Sequence, residues 1–373
     1  MRSSDDIERV ETSVEQELVS KHTCSCHAIR PVTASPILSV AIHATSAPLR
    51  QHLNMLLHAH DISTHPGEED VSVDQRDFHR LLTVVDSLNE ADRFAFRAVP
   101  CSAEGPRIWD VRPLNLWAAQ LRSEWFELAT QHLVFHGQPI VEVQTGHVVA
   151  YEALVRARLD KELIGAGPLL KAAAAHDQMR AFDALARTTA IRQLYGKLSA
   201  SQALFINFAP GVIYNPDICL QTTFQACREV GADFSRLVFE ITEGEDFPDM
   251  RLLKSILERY RQEGARVALD DLGSGRTSLS YLAELSPDIV KLDRALIQGL
   301  HRSKPAFRLV RSLIAYAHDL GIQVVAEGIE AVDELIAVRE AGVDLAQGYY
   351  LGRPAETLSG LAPVAAAWWG AQE

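Results

Sequence analysis

The sequence predicts an α/β protein built around a (β/α)8 barrel, with a smaller α/β module in front of it. Three observations carry this prediction. A helical stretch that ends in glycine and leads into a short apolar strand occurs four times in the second half of the chain. A polar residue closes each of these strands, and about 240 residues with roughly eight strands is the size of a closed barrel. An open doubly wound sheet is the alternative, but no glycine-rich phosphate turn follows a first strand.

Composition limits the partners that the protein can have. The 373 residues carry a net charge of −13, and 47% of them are hydrophobic, as in ordinary globular proteins. The acidic balance argues against nucleic acid as a bulk partner, because duplex binding requires a basic surface. It still allows a small anionic ligand held by metal ions. With five scattered cysteines, no signal-peptide core and no membrane-length apolar stretch, we expect a cytoplasmic protein without a membrane partner.

Residues 1–112 are expected to form a small α/β module that binds a partner or regulates the second domain. Apolar residues at helical spacing predict helices over 48–60 and 78–88. Short strands are expected over three segments, 37–43, 93–100 and 108–111. The module carries no chemical motif that chooses between regulation, partner docking and scaffolding, and the signal that it reads is open.

Four potential metal ligands lie close together near the start of this module. They are His22, Cys24, Cys26 and His27. A zinc site there is the less favoured interpretation, because C-x-C-H lacks the usual two-residue spacer and a second ligand pair. A polar loop with two free thiols is the alternative.

Residues 113–132 are predicted to form one helix that connects the two domains, and the barrel domain is expected over 133–365. Two β-rich runs, 134–143 and 147–154, flank the hairpin signal Gln144-Thr145-Gly146. The barrel is therefore expected to open with an antiparallel pair of strands.

The four helix–glycine–strand repeats predict how the barrel continues. Their glycines are Gly231, Gly264, Gly321 and Gly342. A glycine directly after a helix is typical of a left-handed C-cap. Helices that alternate with short apolar strands indicate parallel strands joined by helical crossovers.

Polar side chains close seven successive strands of the predicted barrel. They are Glu152, Asn207, Glu240, Asp270 with Asp271, Lys291, Glu327 and Gln347. The carboxyl ends of barrel strands converge on one mouth, and burying so many carboxylates there without counter-charge costs too much free energy. The oxygen ligands and the missing histidine predict two Mg²⁺ or Mn²⁺ ions rather than zinc. Lys291 either orients water and neutralises developing charge or forms an ion pair with Asp293 or Asp271.

Several motifs, in order, resemble the EAL family of cyclic di-GMP phosphodiesterases over residues of about 130–360. The segment Tyr151-Glu152-Ala153-Leu154-Val155-Arg156 resembles the signature that names the family. The further matches are Gln138-Pro139-Ile140-Val141, Ile206-Asn207-Phe208, Phe239-Glu240-Ile241-Thr242-Glu243, Leu269-Asp270-Asp271-Leu272-Gly273, Val290-Lys291-Leu292-Asp293-Arg294, Ala326-Glu327-Gly328-Ile329-Glu330 and Gln347-Gly348-Tyr349-Tyr350. The N-terminal module carries no such resemblance.

The resemblance implies a TIM-like barrel with an antiparallel first strand that hydrolyses cyclic di-GMP to linear pGpG. It implies one metal at Glu152, Asn207, Glu240 and Asp270, and a second at Asp270, Asp271 and Glu327. Its catalytic set is Glu152, Lys291, Glu327 and Gln347, and its substrate contacts are Gln138, Leu154, Arg156 and Asp293. It also implies that Glu243 anchors the loop after Asp271, and that the barrel forms a homodimer.

The sequence departs from the family pattern mainly in that loop. Leu272 replaces a Phe, Arg276 replaces a Tyr, and His136-Gly137 stands where an aromatic residue commonly precedes Gln138. None of these changes removes a metal ligand. They leave open a cyclic di-GMP receptor or interaction protein without turnover. A different metal-dependent barrel enzyme of the enolase type is a further alternative, because such enzymes also present carboxylates and a lysine from strand ends.

Overall fold

The computed structural model describes residues 28–29, 36–66, 70–241, 249–273 and 280–371. The cluster from His22 to His27, the loop anchor Glu243 and the departure Arg276 lie outside these ranges. The chain divides into two compact units, one of which comprises Ile29–Gln131 with Gly167–Met179, and the other His132–Ala166 with the chain from Arg180 onwards. Within the described ranges, none of the helices has the length and apolar character that crossing a bilayer demands.

The N-terminal unit contains an antiparallel sheet of six strands. They are β1 (Ser39–Ala44), β2 (Thr64–Pro66), β3 (Asp70–Asp74), β4 (Phe96–Ser102), β5 (Gly105–Pro106) and β6 (Arg112–Pro113). Their order is β2-β3-β1-β4-β5, and β6 pairs with β4. Burial alternates strictly along β1 and β3, because successive side chains of a strand point to opposite faces. One face of the sheet is therefore apolar and covered, and the other is polar.

Six helices belong to this unit and supply the cover. They are α1 (Ala47–Ala59), α2 (Phe78–Ser87), α3 (Glu90–Ala95), α4 (Leu114–Arg122), α5 (Phe126–Gln131) and α6 (Ala166–Ala175). The apolar faces of α1, α2 and α4 join those of the strands in one core, in which Trp117 meets the edge of the Phe78 ring at 5.0 Å between centroids. The helices predicted over 48–60 and 78–88 are α1 and α2.

Two local predictions for this part of the chain differ from the structure. The segment 108–111 is not a strand, because Ile108–Asp110 forms a 3₁₀ turn. The single helix expected over 113–132 is two helices, α4 and α5. The first ends where the Ser123 hydroxyl donates to the carbonyl of Ala119 at 2.7 Å. Both helices, and the segment 167–179, pack with the N-terminal unit.

The second unit is a closed barrel of eight strands. They are β7 (Leu133–Glu142), β8 (Val148–Leu159), β10 (Ala203–Phe208), β11 (Leu237–Ile241), β12 (Arg266–Leu272), β13 (Ile289–Leu292), β14 (Gln323–Ala326) and β15 (Leu345–Ala346), with β9 (Glu162–Ile164) attached to β8. The order runs from β7 through β8 and β10 to β15 and back to β7. The first strand, β7, is antiparallel to both neighbours, whereas the other six barrel pairings are parallel. The hairpin signal at 144–146 corresponds to the β7–β8 connection.

Helices join the parallel strands. They are α7 (Met179–Leu194), α8 (Pro216–Cys219), α9 (Gln221–Glu229), α10 (Met250–Gln262), α11 (Ser280–Leu285), α12 (Arg294–Ile297), α13 (Lys304–Asp319), α14 (Val332–Ala341) and the C-terminal α15 (Pro363–Gly370). All four glycines that end a helix in the predicted repeats have positive φ, from 63° to 95°. Glycine adopts this region without a steric penalty, so the C-caps predicted from the sequence are confirmed.

An apolar layer closes the lower interior of the barrel. Every one of the eight strands contributes to it: Ile140, Ala150, Ala203 with Phe205, Val238, Ala268, Ile289, Val325 and Leu345. Such layers of inward-facing side chains are what fills a barrel of this size. We call this apolar layer the floor; it lies directly below the polar side chains of the mouth.

Candidate active site

The polar residues of the mouth lie two positions from the floor on every strand. Because inward-facing side chains recur every second residue, each strand contributes one apolar floor residue and then one polar residue. The eight polar residues are Gln138, Glu152, Asn207, Glu240, Asp270, Lys291, Glu327 and Gln347. The offset is two residues towards the N-terminus on β7, which is antiparallel, and two towards the C-terminus elsewhere. The barrel thus brings together the seven strand-end positions that the sequence predicted, and adds Gln138.

Lys291 lies at the centre of this polar layer and is 1% exposed. Four carboxylates from four strand ends surround its Nζ atom. The distances are 2.6 Å to Glu327 Oε1, 3.1 Å to Glu240 Oε1, 3.3 Å to Asp270 Oδ1 and 3.6 Å to Glu152 Oε2. The alternative partner Asp293 instead caps α12, where its Oδ1 accepts from the amide of Ala295 at 2.8 Å. One ammonium group therefore faces several carboxylates at once.

Asp270 and Asp271 lie side by side because the strand is irregular at its end. Regular alternation would point neighbouring side chains to opposite faces. The register between β12 and β13 shifts between Leu269 and Leu272, and Asp271 has a φ of 56°. This bulge turns the second carboxylate so that ligand atoms of Asp270, Asp271 and Glu327 lie within 4.8 Å of one another. Aspartate tolerates the left-handed conformation better than most residues.

Glu152 is held from both sides by amide groups. Asn207 Nδ2 donates to Glu152 Oε1 at 2.8 Å, and Gln347 Nε2 donates to Oε2 at 2.7 Å. Burial pushes the pKa of Glu152 up, but Lys291 and these two hydrogen bonds outweigh it, so the pKa lies below its ordinary value. Glu152 is therefore the carboxylate of the layer that stays ionised most readily.

The other carboxylates of the layer are held in an unfavourable environment. Burial raises the pKa of Glu240 well above its ordinary value, although Lys291 opposes it, and burial likewise raises the pKa of Asp270. Burial also raises the pKa of Glu327 to about 8, with the charges of Asp270 and Glu152 adding to the effect. The pKa of Lys291 is raised well above its ordinary value, because the four carboxylates outweigh its own burial. The layer therefore lacks positive charge.

The donor set fits divalent cations. Glu240 is fully buried, and apart from the Lys291 ammonium 3.1 Å from its Oε1 atom, neither carboxyl oxygen has a hydrogen-bond partner. The Gln347 Oε1 atom is likewise buried and unpaired. Buried polar atoms without partners are uncommon and indicate a missing ligand, and hard oxygen donors suit Mg²⁺ or Mn²⁺.

The predicted substrate-contact residues lie around the same mouth. Gln138 is buried, and its Nε2 donates to the carbonyl of Gly352 at 3.2 Å. Leu154 and Arg156 follow Glu152 at two-residue steps along β8, and both are partly exposed. The Arg156 Nη1 atom donates to the carbonyl of Val155 at 2.7 Å. Of the loop departures within the described residues, Leu272 is buried at the end of β12.

One residue of the mouth is not recognised from the sequence as part of the site. His136 is two residues before Gln138 on β7 and pairs across the hairpin with Leu154. It therefore shares the inward face with Gln138 and lies one step further out. The signal that could have revealed it is the two-residue period of β7, counted backwards because that strand is antiparallel.

Comparison with known proteins agrees with this geometry. The family model described as EAL domain matches residues 119–354. The cyclic di-GMP phosphodiesterase NbdA of Pseudomonas aeruginosa is 30% identical over 231 residues, which cover 61% of this chain and 29% of that protein. The chain thus spans about three tenths of the length of these curated relatives.

Two solved structures extend the comparison. A standalone versatile EAL protein from Vibrio cholerae O395, in its c-di-GMP bound form, is 34% identical, with a TM-score of 0.56, 63% of this chain covered and 97% of that chain. BlrP1 from Klebsiella pneumoniae, in a manganese/cy-diGMP complex at pH 6, is 21% identical, with a TM-score of 0.57, 87% of this chain covered and 98% of that chain. At that identity the second match concerns the fold alone, but its extent goes beyond the barrel.

Proposed function

The chain belongs to the EAL domain family, and from this membership together with the polar layer we propose that it is a metal-dependent phosphodiesterase. Its substrate is cyclic di-GMP, of which it hydrolyses one phosphodiester bond to give linear pGpG. The observation that carries the proposal is the convergence of carboxylates from four strand ends on the Lys291 ammonium group. A purely structural role does not explain so many buried acids, because burying each carboxylate costs free energy unless its charge is neutralised.

The charge balance of the layer supports two ions. Five carboxylates, with Asp271 included, face one ammonium group, which leaves four negative charges for two divalent cations to neutralise. One ion is assigned to Glu152, Asn207, Glu240 and Asp270, and the other to Asp270, Asp271 and Glu327, with Mg²⁺ or Mn²⁺ as the metal. When bound, such ions would lower the pKa of a water molecule, which makes it a better nucleophile towards phosphorus. They would also neutralise negative charge on the phosphodiester.

Four residues of the polar layer have further proposed roles in the reaction. Lys291 stays protonated, as its raised pKa requires, and offsets the charge that develops at the scissile phosphate. Gln347 and Asn207 hold the Glu152 carboxylate in one orientation through hydrogen bonds to its two oxygens. Glu327 is the remaining member of the catalytic set and contacts the Lys291 ammonium directly.

Substrate binding is assigned to the outer part of the mouth. Arg156 presents a guanidinium fork, whose geometry suits a phosphate group. Gln138, Leu154 and Asp293 complete the proposed contacts, with Leu154 offering an apolar surface to a nucleobase. A receptor without turnover is less well supported, because every carboxylate and amide that the family uses is present in the layer.

We further propose that the barrel forms a homodimer. Leu309, Tyr316 and Leu320 are 53%, 39% and 42% exposed, and their spacing puts them on one side of helix α13 and its C-terminal end. A stripe of this kind suits the same stripe on a second copy, because an isologous contact pairs like with like. Analytical ultracentrifugation of the protein and of a Leu309→Asp variant tests this assignment.

The N-terminal unit is proposed to regulate the barrel by binding a signal or a protein. The observation in favour is Trp109, which is 93% exposed beside the half-exposed Ile108 and Val111 in the turn between β5 and β6. Large exposed apolar side chains in a cluster mark interaction surfaces more often than isolated ones do.

The decisive experiment is turnover of cyclic di-GMP by the purified protein. We expect pGpG to accumulate with Mn²⁺ or Mg²⁺ and to be absent with a chelator, as separated by chromatography. Glu152→Ala should abolish the product. Glu142→Ala is the matched control, since it removes a carboxylate at the opposite end of the same hairpin, where Glu142 accepts from the Thr145 hydroxyl. Binding seen by calorimetry with no pGpG from the unmodified protein would favour the receptor.

A further inference from the structure

His136 occupies the next layer outward from the metal-binding layer. The inward-facing residues of β7, read towards the mouth, are Ile140 in the floor, Gln138 in the polar layer and then His136. On the facing strand the same three steps are Ala150, Glu152 and Leu154. A two-residue step along a strand is about 6.6 Å, so His136 lies at the depth of a bound nucleotide rather than of the ions.

The imidazole of His136 has one committed and one uncommitted nitrogen. Its Nε2 atom is shielded from solvent and has no hydrogen-bond partner. The ring also donates to the backbone carbonyl of Pro354, which leaves Nε2 as the free position. Burial and the neighbouring Arg156 lower the pKa of His136, while Glu356 raises it and Arg158 lowers it further. The neutral imidazole with its proton directed at Pro354 presents a lone pair at Nε2.

The contact with Pro354 is built into the fold rather than accidental. Ala355, the next residue, exchanges both backbone hydrogen bonds with Gly137, at 2.9 and 3.2 Å. A Cβ atom at Gly137 would lie 2.2 Å from Leu358 Cδ2, so any larger residue there would require the Leu358 side chain to move. The backbone pairing of Ala355 with Gly137 therefore positions the carbonyl that sets the histidine tautomer.

We propose that His136 reads the base of the substrate, accepting at Nε2 a hydrogen bond from an N–H donor of guanine. The inference rests on the proposed function, which supplies a guanine nucleotide to this mouth. The donor that distinguishes the two purines is the guanine N1–H, because adenine also has an exocyclic amine but carries an acceptor at N1. A buried acceptor matched to a donor edge discriminates against a ligand that lacks it, because the acceptor is then left unpaired. His136 is thus a specificity residue and takes no part in the hydrolytic step.

The test compares His136→Phe and His136→Gln with His147→Phe, an identical change on an exposed histidine at the other end of the β7–β8 hairpin. For cyclic di-GMP we expect His136→Phe to raise KM about tenfold, the usual worth of one hydrogen bond, with kcat within twofold of the unmodified protein. His136→Gln, which keeps an acceptor, should retain part of the affinity. Competition by cyclic di-AMP should strengthen relative to cyclic di-GMP only in His136→Phe.

The outcomes separate this inference from the proposed function. An active unmodified protein, with an unchanged KM and unchanged competition in both His136 variants, overturns the inference alone. A parallel fall of kcat and thermal stability in both variants assigns His136 a structural role and also overturns it. An unmodified protein that neither binds nor hydrolyses cyclic di-GMP overturns the proposed function, and the inference with it. Because His136→Gln is closer in size and polarity, it keeps the test open if the phenylalanine variant does not fold.

Discussion

In both sheets of this protein, polar and apolar side chains alternate with a period of two residues. The polar residues of the N-terminal sheet are exposed, whereas those of the barrel are buried. In the N-terminal sheet, the polar face carries Asp70 and His43, which pair at 2.9 Å with side chains 44% and 42% exposed. In the barrel the polar residues lie on the inward face, directly above the apolar floor, and Glu240 is fully buried.

Closure of the sheet explains the difference. An open sheet presents its polar row to water, where each charge is solvated separately and contributes little. A closed sheet directs its inward row to one axis, so that charges from distant segments meet and cannot be solvated. The comparison teaches that the convergence of carboxylates, on which the proposed metal binding rests, follows from closing the barrel, since the N-terminal unit has similar residues but, within its described part, no such convergence.

The largest expected effect tests whether the barrel charges serve catalysis at the expense of stability. Glu240→Gln keeps the shape of the side chain but removes a fully buried carboxylate that shares the Lys291 ammonium with three others and accepts no hydrogen bond. We expect turnover to fall by about 10³-fold, because the ion loses a ligand. In chelator, the melting temperature should rise, because the substitution removes a buried acid that Lys291 compensates only in part and that repels its neighbouring carboxylates. Steady-state kinetics and thermal denaturation measure the two effects, and Asp70→Asn in the open sheet should change neither. A lower melting temperature of Glu240→Gln in chelator would contradict the comparison.

An intermediate effect is expected from pH in the absence of metal. Burial raises the pKa of Glu327 from 4.5 to about 8 in the folded state. The folded protein therefore binds more protons than the unfolded chain between these values, and its stability must fall as the pH rises through that window. The lowered pKa values of His136 and His176 act in the opposite direction, but only below their ordinary value of 6.5.

Measurement between pH 7 and 8 isolates the carboxylates from these histidines. In chelator, we expect the free energy of unfolding to fall by about 1 kcal/mol over this interval for one proton released. With excess Mn²⁺ the fall should disappear or reverse, because metal binding displaces protons from its ligands. Denaturant titrations at the two pH values measure it, and stability that increases with pH in chelator would refute the assignment.

The smallest effect concerns thiol reactivity in the two regions. Burial raises the pKa of the Cys227 thiol to about 12, although Arg228 opposes it, and Cys219 is also buried. Cys101, on β4 of the open sheet, is partly exposed. We expect alkylation of Cys227 in the native protein to be at least about 100-fold slower than that of Cys101, because only an exposed thiolate reacts. Mass spectrometry of the alkylated peptides over time gives both rates, and equal rates would show that the barrel helices open freely.

The sequence alone was sufficient for the fold class and for naming the polar strand ends that the barrel brings together, but it did not point to His136. Gly231, Gly264 and Gly321 mark where helices end and strands begin, because left-handed caps are a local property of the backbone. The strand-end residues from Glu152 to Gln347 could be named because hydrophobic periodicity and sequence motifs are also properties of short segments. The same local reasoning was wrong for segment 108–111 and merged α4 with α5, since short turns depend on what packs around them.

Only the tertiary structure decided how these residues act together. The placement of Lys291 among four carboxylates, the turn of Asp271 towards Asp270, and the arrival of Pro354 beside His136 all join segments far apart in the chain. Distances of this kind arise from closing eight strands around one axis, and no local propensity encodes them. For that reason the sequence identified which side chains could bind metal, whereas their shared ammonium group, their shifted pKa values and the complete burial of Glu240 are properties of the fold.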